Sequence, residues 1–217
     1  MGQIFNLDNP VWRFMSRVAD LVILNLMVML FTLPVFTAGA AWTAMYFVTI
    51  RMVRKEERYV IKDFWRSFKQ NFKQATLIWL LALVAIGVFV GDVLIYKEIP
   101  DQIPKVLMIA IMVLAYLVLG TLVYTFPLLS RFYNTVGGTL KNAFLVSVVN
   151  IPYTVLFIFW AVLPFAVLYF VIELAPFVLL FGFSGPAYLS SIYWVKILAK
   201  FEQGKDEEAK DQGNTQE

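Results

Sequence analysis

Long stretches of this chain carry no charge, and they constrain its folding more than any other feature. Thirty uncharged residues separate Asp20 from Arg51, and further uncharged runs of 18, 25, 31 and 22 residues cover 74–91, 106–130, 142–172 and 174–195. A helix needs roughly 20 mainly apolar residues to cross the hydrocarbon core of a bilayer. An ionised side chain is expensive there. Lipid offers no partner to a bare backbone N–H or C=O, so a crossing segment must be helical unless it closes into a barrel. Composition agrees, with 60% hydrophobic and 15% charged residues and a mean hydropathy of +0.74. The expected fold is all-α. It is a polytopic helical membrane protein of about six transmembrane helices, in a single membrane domain over residues 1–201. Residues 202–217 read as a disordered cytoplasmic tail, because they are polar and rich in Lys, Glu and Asp.

Pro34 sits near the middle of the first run and divides it, since a proline ends one helical ladder and can open the next. The spans then fall at about 14–33, 36–54, 74–96, 105–129, 151–171 and 174–199. Pro152, Pro164, Pro176 and Pro186 recur through the last two. They read as tolerated kinks, or as signs that the sixth span breaks at Gly182–Phe183–Ser184–Gly185–Pro186 and lines a cavity, as discontinuous helices do in transporters. Gly87 and Gly91 form a GxxxG pair, and Ala40 and Ala44 a small-residue pair. Such pairs bring helices close, within the chain or at a homodimer seam.

Lysine and arginine set the orientation. With both termini on one side, 16 of the 18 cations share that side and only Lys97 and Lys105 lie opposite. Basic loops stay cytoplasmic. The expected location is therefore the bacterial cell membrane, multi-pass, with the N-terminus and C-terminus in the cytoplasm. The first 20 residues are too polar and aromatic for a cleavable signal peptide.

Before the third span, Phe64, Phe68 and Phe72 share one helical face, while Arg66, Lys69 and Lys73 share another. Asp63 is placed to cap this segment. The pattern predicts an amphipathic helix at the inner interface, with its rings toward acyl chains and its cations toward anionic headgroups. Its other use is as a docking surface for a partner. Nucleic acid is not expected as a partner, because the helix lies against the membrane.

Few polar side chains interrupt the apolar runs. Arg17 and Asp20 lie three apart on one helical face, and Asn25 lies deeper. Together with Thr37, Asn71, Asn142 and Ser190 they are candidates either for interhelical hydrogen bonds or for lining a polar cavity. Thr139–Ser147 echoes the segment around Asn71, and Gly185–Pro186–Ala187–Tyr188 echoes Gly39–Ala40–Ala41–Trp42. These echoes admit, without requiring, an internal repeat.

Reactive chemistry is sparse in the sequence. It has no Cys and no His, which removes most zinc, haem and thiol sites. No phosphate-binding G-x-x-x-x-G-K-[ST] loop occurs, and no carboxylate pair falls within a span at helical spacing. No cofactor, metal site or catalytic residue is expected. The chain reads as a non-enzymatic membrane protein.

Phe5–Asn6, Arg17, Asp20, Asn25, Leu33–Pro34, Thr37–Ala38–Gly39–Ala40–Ala41, Tyr46 and Arg51 resemble the YesL-like family of bacterial membrane proteins. Phe64, Phe68, Asn71, Phe72 and Gly185–Pro186–Ala187 extend the likeness over nearly the whole chain. Ala38 departs mildly, since the family commonly has a β-branched residue there. The family is a domain of unknown function, found mostly in Gram-positive bacteria, and has no established ligand or catalytic residues. Its genes often neighbour those of binding-protein-dependent sugar importers and polysaccharide-degrading enzymes. The resemblance implies an accessory or subunit role in carbohydrate uptake, beside a sugar importer permease or its ATPase. A stand-alone small-solute channel or carrier, with a polar cavity near Asn25 and a broken sixth helix, is the alternative reading. A membrane enzyme acting on lipid-linked substrates is a third.

Overall fold

The structure, a computed structural model, describes residues 10–56, 59–98 and 104–214, with side chains from Val11 to Ala199. Phe5 and Asn6, named above, and Arg58, one of the 16 cations counted on the basic side, lie outside the described residues.

The first helix, α1 (Pro10–Thr32), stops where Pro34 removes a backbone donor. Thr32 and Thr37 complete the stop, their hydroxyls donating to Val28 O and Phe31 O. A single 3-10 turn, Val35–Thr37, leads into α2 (Ala38–Val53), which is the centre of the molecule: 11 of its 16 residues are buried. Ala40, Ala41, Ala44 and Val48 have no exposed surface. Their small side chains let neighbouring backbones approach, and Gly39 takes this furthest. A Cβ at Gly39 would lie 2.6 Å from Ala75 O and 2.7 Å from Trp79 Cβ. Trp42 fills the adjoining space, with its ring centroid 4.8 Å from that of Trp79 and 5.6 Å from that of Phe126.

The third helix, α3 (Val60–Glu98), is one uninterrupted run of 39 residues, about 58 Å long. This makes the segment expected at the inner interface and the third span one continuous helix. It also corrects the facing of the rings. Phe64 and Phe68 are buried in the protein core, 5.6 and 4.9 Å from the Phe31 ring. Spacing at 64, 68 and 72 marks one apolar face, but periodicity does not say whether lipid or protein covers it. Arg66, Lys69 and Lys73 are exposed, as the pattern predicts.

The chain returns as α4 (Lys105–Arg131) and then forms α5 (Val136–Val149), an apolar 14-residue helix packed on α4. The sequence reading assigned no bundle helix there. Asn150 separates α5 from α6 (Ile151–Phe170), with Pro152 in its first turn. A 3-10 turn, Ile172–Leu174, precedes α7 (Ala175–Phe181), and α8 (Ser184–Asn214) ends the described chain. The α7–α8 axis bends by 54° at the break, at the Gly182–Pro186 segment named from the sequence. Residues 202–214 continue α8 as helix, where a disordered tail was expected. Their Glu, Lys, Gln and Ala are good helix formers, and they extend a helix that is already nucleated.

Among the described residues, four helices are long and apolar enough to cross a membrane, or five if the bent pair counts as one span. The expected count of six is corrected accordingly. The difference lies in α2. It is about 24 Å long and enclosed by other helices, and a missing charge marks a buried core helix as readily as a span. The C-terminal half of α3 and the N-terminal half of α4 contrast with it, since Val84, Val88, Ile109 and Val113 there are exposed.

Candidate functional site

Among the described residues, polar groups converge at two places. The first is the break between α7 and α8. Helix ends leave carbonyls and amides without intrahelical partners, and a break inside an apolar bundle strands both kinds together. Asn25, projecting from α1 and fully buried, meets them. Its Nδ2 donates to Val178 O (3.1 Å) and Leu179 O (2.8 Å). Its Oδ1 accepts from the N–H groups of Phe183 (2.8 Å) and Ser184 (2.9 Å). An amide offers two donors and two lone pairs, so Asn25 is saturated. Ser184 adds a second tie, its Oγ donating to Leu21 O at 2.8 Å. Gly182 is required at the bend, because a Cβ would lie 2.6 Å from Val178 O.

Beside the break lies a cavity of about 200 Å³, walled by Trp42, Trp79, Phe126, Trp160, Phe165 and Phe183 among others. Its wall is almost wholly apolar and includes none of Arg17, Asp20 or Asn25. It suits hydrocarbon and has few groups to bond a sugar.

The second convergence is a charged cleft where the end of α2, the start of α3 and the end of α4 meet. Arg51 Nη1 lies 2.7 Å from Asp63 Oδ1, and Arg51 Nε lies 2.9 Å from Glu56 Oε2. Arg131 Nη2 stands 3.8 Å from Glu56 Oε1. Phe47 presents its ring to both guanidinium groups, at 5.7 Å for Arg51 and 5.3 Å for Arg131. Both arginines sit in the last turns of their helices, where the helix dipole favours cations. Asp63 does cap α3, but from inside its first turn, Oδ2 accepting the Tyr59 N–H at 3.1 Å. The cleft encloses about 280 Å³ and is also lined by Arg66, Gln70, Asn71 and Tyr133.

The residues singled out from the sequence therefore do not form one site. Arg17 and Asp20 lie half-buried on the first half of α1 and are not among the groups that meet Asn25. Thr37 closes the α1–α2 turn, its hydroxyl also 2.7 Å from Pro34 O. Asn71 donates to Ser67 O at 3.0 Å and faces the charged cleft. Asn142 is exposed, beside a small hollow it shares with Asn150. Ser190 is buried and bonds back to Pro186 O at 2.8 Å. On the cationic face, Lys69 Nζ lies 4.8 Å from the centroid of the Trp65 ring. The grouping of Arg51, Glu56, Asp63 and Arg131 was not read from the sequence. Asp63, an acid within a run of cations, was the available signal.

Comparison with known proteins places this architecture. The family described as "Protein of unknown function, DUF624" matches residues 21–93, the segment holding Asn25, all of α2 and most of α3. The chain is 28% identical to the uncharacterized protein YteU of Bacillus subtilis (strain 168) over 196 residues, covering 88% of this chain and 86% of the relative. No solved structure matches it. The chain is thus similar to the DUF624 family over residues 21–93 and to one uncharacterized Bacillus subtilis protein over most of its length, in line with the resemblance read from the sequence.

Proposed function

We propose that this protein is a non-enzymatic accessory or subunit in carbohydrate uptake, working beside the permease or ATPase of a sugar importer in the bacterial cell membrane. The observation that carries this over a self-contained pathway is the saturation of Asn25. The amide best placed to line a polar passage uses its two donors and two acceptors on the α7–α8 break. The hollow of about 200 Å³ beside that break is apolar. The gene neighbourhood implied by the YesL-like resemblance supplies the carbohydrate connection. The cation-rich end of the bundle is the cytoplasmic end in this reading, in contact with anionic headgroups.

The test is co-purification. Tagged protein, gently solubilised from its own membranes, brings down importer components, and deletion of its gene slows oligosaccharide uptake. Clean isolation without any permease or ATPase component, together with unchanged uptake, would sink the proposal. The 54° bend beside a cavity favours a second reading, a stand-alone carrier. Liposomes holding only the purified protein would then pass a labelled oligosaccharide, which the accessory reading excludes.

A further inference from the structure

We propose that the cleft at the junction of α2, α3 and α4 binds a phosphate-bearing anion. This stands independently of the carbohydrate reading. Three guanidinium groups line the cleft from three different helices: Arg51, Arg66 and Arg131. One carboxylate, Glu56, lines it with them. Asp63 lies behind, buried and engaged by Arg51 and by the Tyr59 N–H. The wall therefore carries more positive than negative charge.

Like charges drawn together at the edge of an apolar bundle repel, and the fold nonetheless positions them. Phe47 orients Arg51 and Arg131 by its ring face, and Glu56 reaches between the same two. Fixed guanidinium forks match the oxygens of a phosphate in paired hydrogen bonds. Arg66 is exposed on the same wall, which leaves it able to close on a ligand. Gln70 adds an amide, and Tyr133 stands largely exposed at the rim. A volume of about 280 Å³ admits a phosphate with a small attached alcohol. Such a group arrives either as the phosphodiester of an anionic lipid or as a soluble phosphate ester. Both present the same oxygens to the arginines.

Two probes separate these sources, with full-length protein as the sample. Phosphatidylglycerol is doped into phosphatidylcholine nanodiscs, and its retention is read by native mass spectrometry. Glycerol 3-phosphate is titrated calorimetrically in neutral detergent. Arg66→Glu is expected to weaken whichever probe binds by about tenfold or more, as for loss of a charge-assisted contact. Lys69→Glu, one turn away on the same helix and outside the cleft, is expected to leave binding unchanged. Retention of the lipid alone assigns the cleft to a headgroup, and binding of glycerol 3-phosphate assigns it to a soluble ester. Either result supports the site. Failure of both probes overturns it, as expected if an acidic segment of another protein fills the cleft. Equal loss in Arg66→Glu and Lys69→Glu also overturns it, because diffuse surface charge would then explain the binding. If Arg66→Glu does not give a folded melting transition, Arg66→Gln replaces it with the same expected outcome.

Discussion

One amide holds together the least regular part of the bundle. Replacing Asn25 by Leu takes the amide's bonds from the Leu179 carbonyl and the Phe183 and Ser184 N–H groups of the α7–α8 break, in apolar surroundings, while Val178 O keeps the Gly182 N–H. Each such group costs about 1–3 kcal/mol, so Asn25→Leu is expected to lose at least about 3 kcal/mol, seen as a lowered melting temperature in detergent. A melting temperature equal to wild type would refute the clamp. Asn25 itself was legible in the sequence, because an amide deep in an uncharged run must find protein rather than lipid. Its partners were not legible: Val178 lies 153 residues away, and no local pattern announces such a contact. The Arg51–Asp63 pair is a second case. Asp63 is 6% exposed, so Arg51→Gln strands a buried carboxylate and is expected to destabilise by about 2–3 kcal/mol. Arg51→Gln combined with Asp63→Asn should recover part of that loss in the same melting assay.

The helices pose a related problem, since their faces were readable and their coverings were not. The spacing of Phe64, Phe68 and Phe72 revealed the apolar side of α3, but the same spacing serves an interfacial helix and a core helix equally. α2 was read as a span from its lack of charge, but its 16 residues fall short of the roughly 20 that a crossing needs, and its Gly and Ala residues are sheathed by protein. The α5 start was within reach of the sequence, because Thr135 caps it by accepting the Gly138 N–H at 3.1 Å. Glycines discriminate among these elements. Gly39→Ala forces α2 and α3 apart and is expected to cost about 1–3 kcal/mol. Gly87 has nothing within 4 Å of a Cβ, so Gly87→Ala should be neutral, or slightly stabilising through helix propensity. A second copy seated on Gly87 and Gly91 would reverse that expectation. Light scattering of Gly87→Leu in detergent would then show a dimer falling to monomer.

Charge along the whole chain carries the orientation. The sequence contains no Cys, so single cysteines can be introduced without background. Cysteines replacing Lys69 and Lys141 are expected to react with an impermeant maleimide only after cells are opened, and one replacing Lys97 in intact cells. Labelling of position 69 from outside would invert the arrangement. The long α3 ties these two faces together mechanically. It contains no Pro across its 39 residues, and sharp bends in helices arise mainly at proline or similar interruptions. Spin labels at positions 69 and 95 should hold one narrow separation of about 39 Å in every condition. If they do, the helix is a stiff strut, and a tilt of about 10° imposed at its basic foot carries its far tip sideways by about 10 Å. What grips the one end is then felt at the other without any rearrangement between them.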